Sequence, residues 1–284
     1  MANLKEIRNR IASVSSTMQI TSAMKMVSAA KLKKAQDAIT AMRPYANKLT
    51  ELLQNLSATL DADSGSKFSE QREIKNVLIV AITSNRGLCG AFNSNIIKRA
   101  TAVAESYDAN VSVVAIGKKA NDALSKNFEV ISNQSPVYDD LTFDNVAAIA
   151  EMLMEQFESK AFDKIEVIYN KFKNAATQEI MTEQFLPIVP LESDSTVSLD
   201  YIFEPSKEEI VETLIPKSLK TQLYKSIRDS FASEHGARMT AMHKATDNAT
   251  ELRDQLKLTY NKARQASITN EILEIVGGAE ALNG

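Results

Sequence analysis

The chain has 284 residues, of which 44% are apolar and 24% charged, so it can bury a sizeable core and is not disordered. Its net charge of -3 argues against a nucleic-acid binder, and its single cysteine excludes an intramolecular disulfide, a four-thiolate zinc site and a redox pair. The apolar runs are far shorter than the roughly 20 residues that a transmembrane helix needs. With only 8 glycines and 6 prolines, the chain is expected to form long uninterrupted elements.

Charge and helix-breaking residues divide the chain into three segments. Residues 1–60 carry a net charge of +6, residues 61–216 carry -11, and residues 217–284 carry +2. Five of the 6 prolines and four of the 8 glycines lie in the middle segment. The two ends are therefore predicted to be long helices, and the middle a compact domain.

The first helix has apolar residues at alternating steps of three and four, the spacing of a coiled-coil seam. These residues are Leu4, Ile7, Ile11, Val14 and Met18. A second run comprises Met42, Tyr45, Leu49, Leu52 and Leu56. Pro44 lies inside this run and is expected to kink the helix without ending it.

The middle segment alternates between strand-like and helix-like stretches. Strands are predicted at 76–83, 111–116, 128–132, 164–169, 180–189 and 199–203, and helices at 93–107, 118–126 and 145–158. Buried strands that alternate with helices indicate a mainly parallel sheet with crossover helices. The polar residues 61–75 are predicted to form a linker.

The last segment again has helical spacing. Its apolar positions are Leu219, Leu223, Ile227 and Phe231, then Ala245, Ala249, Leu252, Leu256, Ala263, Ile268 and Ile272. Gly277 and Gly278 are expected to end this helix. The predicted fold is an antiparallel two-helix coiled coil of residues 1–60 and 206–284, with a linker at 61–75 and a Rossmann-like α/β domain at 76–205.

The strongest candidate for a ligand site is the segment SNRGLCG, residues 84–90, which follows the first strand and precedes a helix. It contains neither GxGxxG nor GxxxxGK[ST], so a tight strand-to-helix turn is the favoured interpretation. Cys89 is interpreted as a small buried residue, not a nucleophile. His235 and His243 are eight residues apart and cannot share a metal. No catalytic residue, cofactor or metal is predicted.

Two surfaces remain for partner binding. The N-terminal helix combines lysines with a methionine-rich stretch at residues 18–34, which is either a solvated face or a face for acidic partners. The nearly uncharged residues 275–282 are either a frayed tail or an apolar tip that inserts into a partner.

Several stretches together resemble the gamma subunit of F-type ATP synthase, and the resemblance covers the whole chain. The most specific is ITNEILEIVGGAEA at residues 268–281, preceded by YNKARQAS at 260–267. Similar motifs are ITSAMKMV at 20–27, RGLCG at 86–90, Ile7-Arg8 with Ile11, and Ala237-Arg238-Met239.

The resemblance implies a non-catalytic central rotor shaft of bacterial type. Such a shaft couples proton-driven rotation of the membrane c-ring to conformational change in the catalytic beta subunits, and so to ATP synthesis and hydrolysis. The implied partners are three alpha and three beta subunits around one gamma, the epsilon subunit and the c-ring. Membrane contact would come only through the c-ring, on the cytoplasmic face of the inner membrane.

The resemblance also implies contact residues. Those facing the alpha/beta hexamer are Met24, Lys25, Arg238, Arg264, Gln265, Thr269 and Glu271. Those of an apolar tip in a hydrophobic collar are Ile275, Val276, Ala279 and Leu282. Where many relatives carry an acidic residue after the first methionine, this chain has Lys25. Two alternatives stay open: a Rossmann-like nucleotide-binding enzyme with helical dimerisation arms, and a coiled-coil adaptor.

Overall fold

The computed structural model describes residues 4–57, 67–188 and 207–283. The helices are α1 (Leu4–Ser57), α2 (Phe92–Glu105), α3 (Lys118–Leu124), α4 (Phe143–Glu158) and α5 (Lys207–Asn283), and a 3-10 turn lies at Ser135–Tyr138. The strands are β1 (Asn76–Ile82), β2 (Asn110–Ile116), β3 (Glu129–Asn133), β4 (Lys164–Phe172) and β5 (Gln178–Leu186). The predicted strand at 199–203 lies outside the described residues.

The five strands form one sheet in the order β3-β2-β1-β4-β5. The three pairings among β3, β2, β1 and β4 are parallel, and only β5 runs antiparallel to its neighbour. The predicted fold class, a mainly parallel Rossmann-like sheet with long terminal helices, is confirmed.

Both faces of the sheet are covered, which explains why the central strands are continuous apolar runs. Along β1, Leu78, Val80 and Ile82 face a core that also contains residues of α4 and α5. Val77 and Ile79 face the opposite core, formed with α2 and α3.

The chain divides into two compact units. Residues 29–238 form the α/β unit, and residues 1–28 with 239–284 form the two-helix unit. The long helices α1 and α5 contribute to both units. The domain boundaries predicted from the sequence stay a prediction.

The unit of residues 1–28 and 239–284 is an antiparallel pair of helical segments. Arg8 donates a hydrogen bond to the Tyr260 hydroxyl at 2.8 Å, and the hydroxyls of Thr21 and Thr246 are 2.8 Å apart. Because the partner number falls as the α1 number rises, the two segments run in opposite directions.

The predicted seam needs a correction on both helices. On α1, Tyr45 is 49% exposed and Ala46 is buried instead. The step of three and four continues from Met18 through Thr21, Lys25 and Ser28, whose polarity hid the register from the apolar pattern.

On α5, Leu252, Ile268 and Ile272 are exposed, whereas Ala249 is buried as predicted. The three exposed residues lie off the buried stripe or beyond the paired stretch. The side chains of Leu52 and Leu56 lie outside the described residues.

The prediction that Gly277 and Gly278 end the last helix is wrong, because α5 continues to Asn283. A helix-ending glycine adopts a positive φ, and neither glycine does so here. Glycine in a helix interior costs only about 1 kcal/mol relative to alanine, which does not by itself break a helix. Among the described residues, no helix combines the length and apolar character that crossing a membrane requires.

Candidate functional site

The loop between β1 and α2, residues 83–91, is held by hydrogen bonds within the chain. The Ser84 backbone N–H donates to Asn93 Oδ1 at 2.9 Å, and Ser84 Oγ donates to the Arg86 carbonyl at 2.6 Å. Asn93 Nδ2 donates to Cys89 Sγ at 3.2 Å. Asn93 therefore fixes both ends of the loop from the first turn of α2.

Asn85 connects the same loop to the start of α3 and to the 3-10 turn that begins at Ser135. Its Oδ1 accepts from the Lys118 backbone N–H at 2.9 Å, and its Nδ2 donates to the Ser135 carbonyl at 3.1 Å. The side chain of Asn85 thus occupies the N-terminal end of α3, where a phosphate would otherwise find a donor. This arrangement supports the interpretation of residues 84–90 as a structural turn.

Two neighbouring backbone positions are left-handed. Leu88 has φ 62° and its side chain is 64% exposed, and Gly90 has φ 60°. At the following crossover, Gly117 has φ 112°, and a Cβ there would lie 2.2 Å from the Thr83 carbonyl oxygen. Glycine is required at position 117 because the two backbones touch.

Cys89 is 2% exposed, as predicted for a small buried residue. Burial raises the pKa of its thiol above the usual value, so the thiolate needed for nucleophilic attack is disfavoured.

Arg238, which was predicted to contact a partner, is buried within the chain. Its Nη1 donates to Glu234 Oε1 at 2.6 Å, and its Nη2 donates to the carbonyl oxygens of Arg86 and Gly87, both at 3.2 Å. Only 9% of its side chain is exposed, so the ion pair is not one of the weak bridges found on helix surfaces. The prediction of a partner contact at Arg238 stays untested.

Glu234 and Asn93 are not among the residues predicted from the sequence. The spacing of Glu234 and Arg238 by four residues on a helix was a visible signal for an ion pair. Nothing local to the sequence showed that this pair meets a loop some 150 positions earlier in the chain.

His235 lies beside this ion pair and is 5% exposed. Neither of its ring nitrogens has a hydrogen-bond partner among the described residues, and its ring packs edge-on against Phe231 with the centroids 4.5 Å apart. Burial, with the positive charges of Arg238 and Lys31, lowers the pKa of His235 to about 4. The histidine is therefore neutral at physiological pH.

His243 belongs to the other unit, where its Nδ1 lies 3.3 Å from Lys25 Nζ and 3.4 Å from Asp247 Oδ2. Within the part of the chain that the structure describes, no group of three His, Cys, Asp or Glu side chains is arranged to hold a metal ion.

The predicted contact residues on α1 lie next to an exposed apolar patch. Met24 and Lys25 are each half-buried. Ile20, Met26 and Val27 are 60%, 66% and 58% exposed. Their exposure within this chain is high for large apolar side chains, which is typical of a surface that a partner covers.

The predicted contact residues near the end of α5 are all exposed: Arg264, Gln265, Thr269 and Glu271. Every residue from 268 to 280 is exposed, which means that the chain itself does not cover this end of the helix.

An apolar stripe runs along the exposed end of α5. Ile268, Ile272, Ile275 and Ala279 follow each other at steps of four, three and four, and therefore share one face of the helix. Ile275 is 71% and the adjacent Val276 51% exposed. The side chain of Leu282 lies outside the described residues.

Comparison with known proteins gives matches along the whole chain. A family model described as ATP synthase matches residues 3–282. The ATP synthase gamma chain of Flavobacterium psychrophilum is 79% identical over 286 aligned residues, and that of Flavobacterium johnsoniae is 75% identical; each alignment covers 100% of both chains.

Among solved structures, the fold matches a chain in the OSCP, F1 and c-ring structure of the Euglena gracilis mitochondrial ATP synthase. That match has a TM-score of 0.72 and 23% identity, and covers 98% of this chain and 94% of the other. A chain of the Tetrahymena thermophila mitochondrial ATP synthase central stalk and c-ring has a TM-score of 0.60 and 26% identity. This match covers 80% of this chain and 99% of the other.

Proposed function

Because the chain belongs to the ATP synthase gamma-chain family, we propose that it is the central rotor shaft of an F-type ATP synthase. Members of this family are non-catalytic subunits of the complex. The shaft couples rotation of the c-ring to conformational change in the beta subunits, which bind and convert the nucleotides.

The observation that carries the proposal is the antiparallel helix pair whose longer helix ends in an exposed apolar stripe. Helix α1 begins at Leu4, and near that end Arg8 donates a hydrogen bond to Tyr260 of α5. Residues 268–280 of α5 are all exposed in the chain alone. A partner that covers this stripe would bury several aliphatic side chains, each worth about 1.5–3 kcal/mol when fully buried.

The partners of the shaft are three alpha and three beta subunits around one copy of the chain, the epsilon subunit and the c-ring. The chain is part of the peripheral F1 sector. The c-ring is its only link to the membrane, and the complex lies on the cytoplasmic face of the bacterial inner membrane.

The contact residues of the shaft belong to two levels. Met24 and Lys25, with the exposed Ile20 and Val27 beside them, face the acidic lever loops of the beta subunits. Arg264, Gln265, Thr269 and Glu271 face the hexamer near the end of α5, and Ile275, Val276, Ala279 and Leu282 form the tip in a hydrophobic collar.

A bearing surface of this kind should transmit force without specific bonds that resist rotation. The stripe on residues 268–279 meets that requirement because apolar burial is non-directional. Rotation then presents a different surface to each beta subunit, and the coupling free energy arises from contacts that differ between their states.

Reconstitution tests the proposed function. Purified alpha and beta subunits are mixed with and without this chain, and the mass of the complex and the rate of MgATP hydrolysis are measured. We expect a complex with one copy of the chain per three alpha and three beta subunits, and strongly raised steady hydrolysis.

A folded chain that neither joins the complex nor raises hydrolysis would overturn the rotor proposal. The two alternatives predict other outcomes. An enzyme should bind nucleotide in the absence of alpha and beta, and an adaptor should tolerate removal of the last ten residues.

A further inference from the structure

The guanidinium of Arg238 joins helix α5 to the loop between β1 and α2. It donates to the carboxylate of Glu234 one turn earlier on its own helix, and to two successive carbonyl oxygens, those of Arg86 and Gly87. Arg86 O also accepts from Ser84 Oγ, so this carbonyl is held from two sides. We call the side chains of Glu234 and Arg238 together with these two carbonyls the α5 clamp.

The clamp is buried, and its charges are matched. The side chains of Arg238 and Glu234 are 9% and 10% exposed. Burial raises the pKa of Glu234, and the adjacent Arg238 guanidinium acts in the opposite direction. The planar fork of arginine can reach the carboxylate and the carbonyls at the same time, which a lysine ammonium cannot do in the same geometry.

The clamp lies where α5 leaves the unit of residues 29–238. Upstream, the buried Leu219, Leu223 and Ile227 pack into the core beneath the sheet, and Ser233 Oγ donates to the Asn170 carbonyl at 2.9 Å. Arg238 is the last residue of the unit formed by residues 29–238, and α5 continues beyond it without a break to Asn283. The clamp is thus a polar attachment of the helix at the end of that unit.

Apolar packing and a forked polar bond resist different movements. Aliphatic side chains such as Leu223 keep most of their contact when a helix turns slightly about its own axis, because dispersion contacts have little directionality. The bonds from Arg238 to two successive carbonyls depend on distance and angle and break when the helix turns. The clamp therefore sets the rotational position of α5 at residue 238.

We propose that Glu234 and Arg238 are positioning residues that lock α5 to the β1–α2 loop, so that the helix and the α/β unit turn together under load. This inference rests on the proposed function as a rotor shaft. Loss of the clamp uncouples proton pumping from ATP hydrolysis, while hydrolysis by the catalytic subunits continues. The effect arises inside the chain and needs no charge on Arg238 that reaches a partner.

A cross-linking experiment separates this internal role from a partner contact. The variant carries Arg238→Cys and Gly87→Cys, with Glu234→Gln so that no unpaired buried charge remains. A Cβ at position 87 meets nothing within 4 Å, so the new side chain fits. The variant also carries Cys89→Ser, so that positions 87 and 238 hold its only thiols.

A short uncharged thiol cross-linker joins positions 87 and 238 before assembly, and mass spectrometry verifies the link. The full complex is then reconstituted in vesicles, and protons pumped per ATP hydrolysed are measured. We expect this ratio to fall by about fivefold without the linker, the lower range for a coupling between sites. With the linker it should return to near the wild-type value, although no charge has been restored.

Each control has one expected result. Lys220→Gln removes an exposed ion pair between α5 and Glu151 of α4, and should leave coupling unchanged. The apolar replacement Glu234→Leu with Arg238→Met should fold stably because a buried ion pair can be replaced by packed apolar groups, and should be as uncoupled as the unlinked variant.

The inference would be overturned if the unlinked variants pump as well as wild type, or if the linked variant stays uncoupled. The second result would assign Arg238 to a partner contact. A wild-type chain that fails to couple in the same assembly would instead contradict the proposed function.

Discussion

Replacement of His235 by phenylalanine should make the free energy of unfolding of the α/β unit less dependent on pH below 7. The folded state holds the pKa of His235 at about 4, against an ordinary value of about 6.5, so the unfolded chain binds more protons between these values. Stability therefore falls as the pH drops from about 6.5 towards 4. The full shift corresponds to about 3 kcal/mol, of which about 2 kcal/mol is lost between pH 7 and pH 5.

The substitution keeps an aromatic ring against Phe231, adds some volume, and removes two buried nitrogens that have no partner among the described residues. At pH 7 we expect the stability to stay within about 3 kcal/mol of wild type. Between pH 7 and pH 5 the variant should lose about 2 kcal/mol less than wild type. The raised pKa of Glu234 works in the opposite direction and is present in both proteins, so it cancels in the comparison.

Urea unfolding at several pH values, followed by tyrosine fluorescence, measures this difference. The chain has no tryptophan, and six of its 7 tyrosines fall in residues 29–238, so the signal reports mainly on the α/β unit. His243→Gln is the matched control, because the side chain of His243 is 57% exposed and its replacement should leave the acid dependence intact. Equal losses of stability in wild type and His235→Phe between pH 7 and pH 5 would refute the reasoning.

Three further changes have defined outcomes. Gly117→Ala should destabilise the α/β unit by more than about 3 kcal/mol in urea unfolding, since its Cβ would lie 2.2 Å from the Thr83 carbonyl, whereas Gly87→Ala should be nearly neutral. Met24→Lys should lower protons pumped per ATP more than it lowers assembly of the complex; equal pumping yields in variant and wild type would contradict this. Removal of residues 275–284 should weaken coupling without abolishing it, and unchanged coupling would count against a role for the tip.

The sheet was predictable because its strands are buried on both faces. Val77 to Ile82 is an unbroken apolar run, and such runs are typical of central parallel strands. The crossover helices followed from the spacing of residues such as Ile96 and Ala100, both of which are buried in the core. Local pattern and tertiary burial agree in this region, so the sequence was sufficient.

The seam of the helix pair was less predictable. Thr21 and Ser28 are buried at seam positions, whereas the apolar Tyr45 and Leu252 are exposed. A prediction based on the spacing of apolar residues assigns large apolar side chains to the seam. Such a prediction is wrong where small or hydroxyl side chains let the two helices approach closely. The continuation of α5 through Gly277 was also not predictable from local sequence. The glycine pair is typical of a helix end, but the backbone there keeps its helical conformation.

The candidate site was predictable only in part. The turn at residues 84–90 and the burial of Cys89 followed from local features. The attachment of Arg238 to the carbonyls of Arg86 and Gly87 did not, since it depends on the packing of distant segments. The predicted partner contacts stay predictions, because they concern surfaces that only a complex would cover.

The hydroxyl pair of Thr21 and Thr246 has a consequence for the mechanics of the two-helix unit. Two helices joined by a purely aliphatic seam can slide past one another by a whole repeat and regain equivalent packing. A hydroxyl pair at a single level loses its contact between the helices after such a slip, while each hydroxyl keeps its bond to a carbonyl of its own helix. The 2.8 Å contact between these side chains therefore fixes the axial register of the two helices and opposes sliding when their ends are pulled unequally.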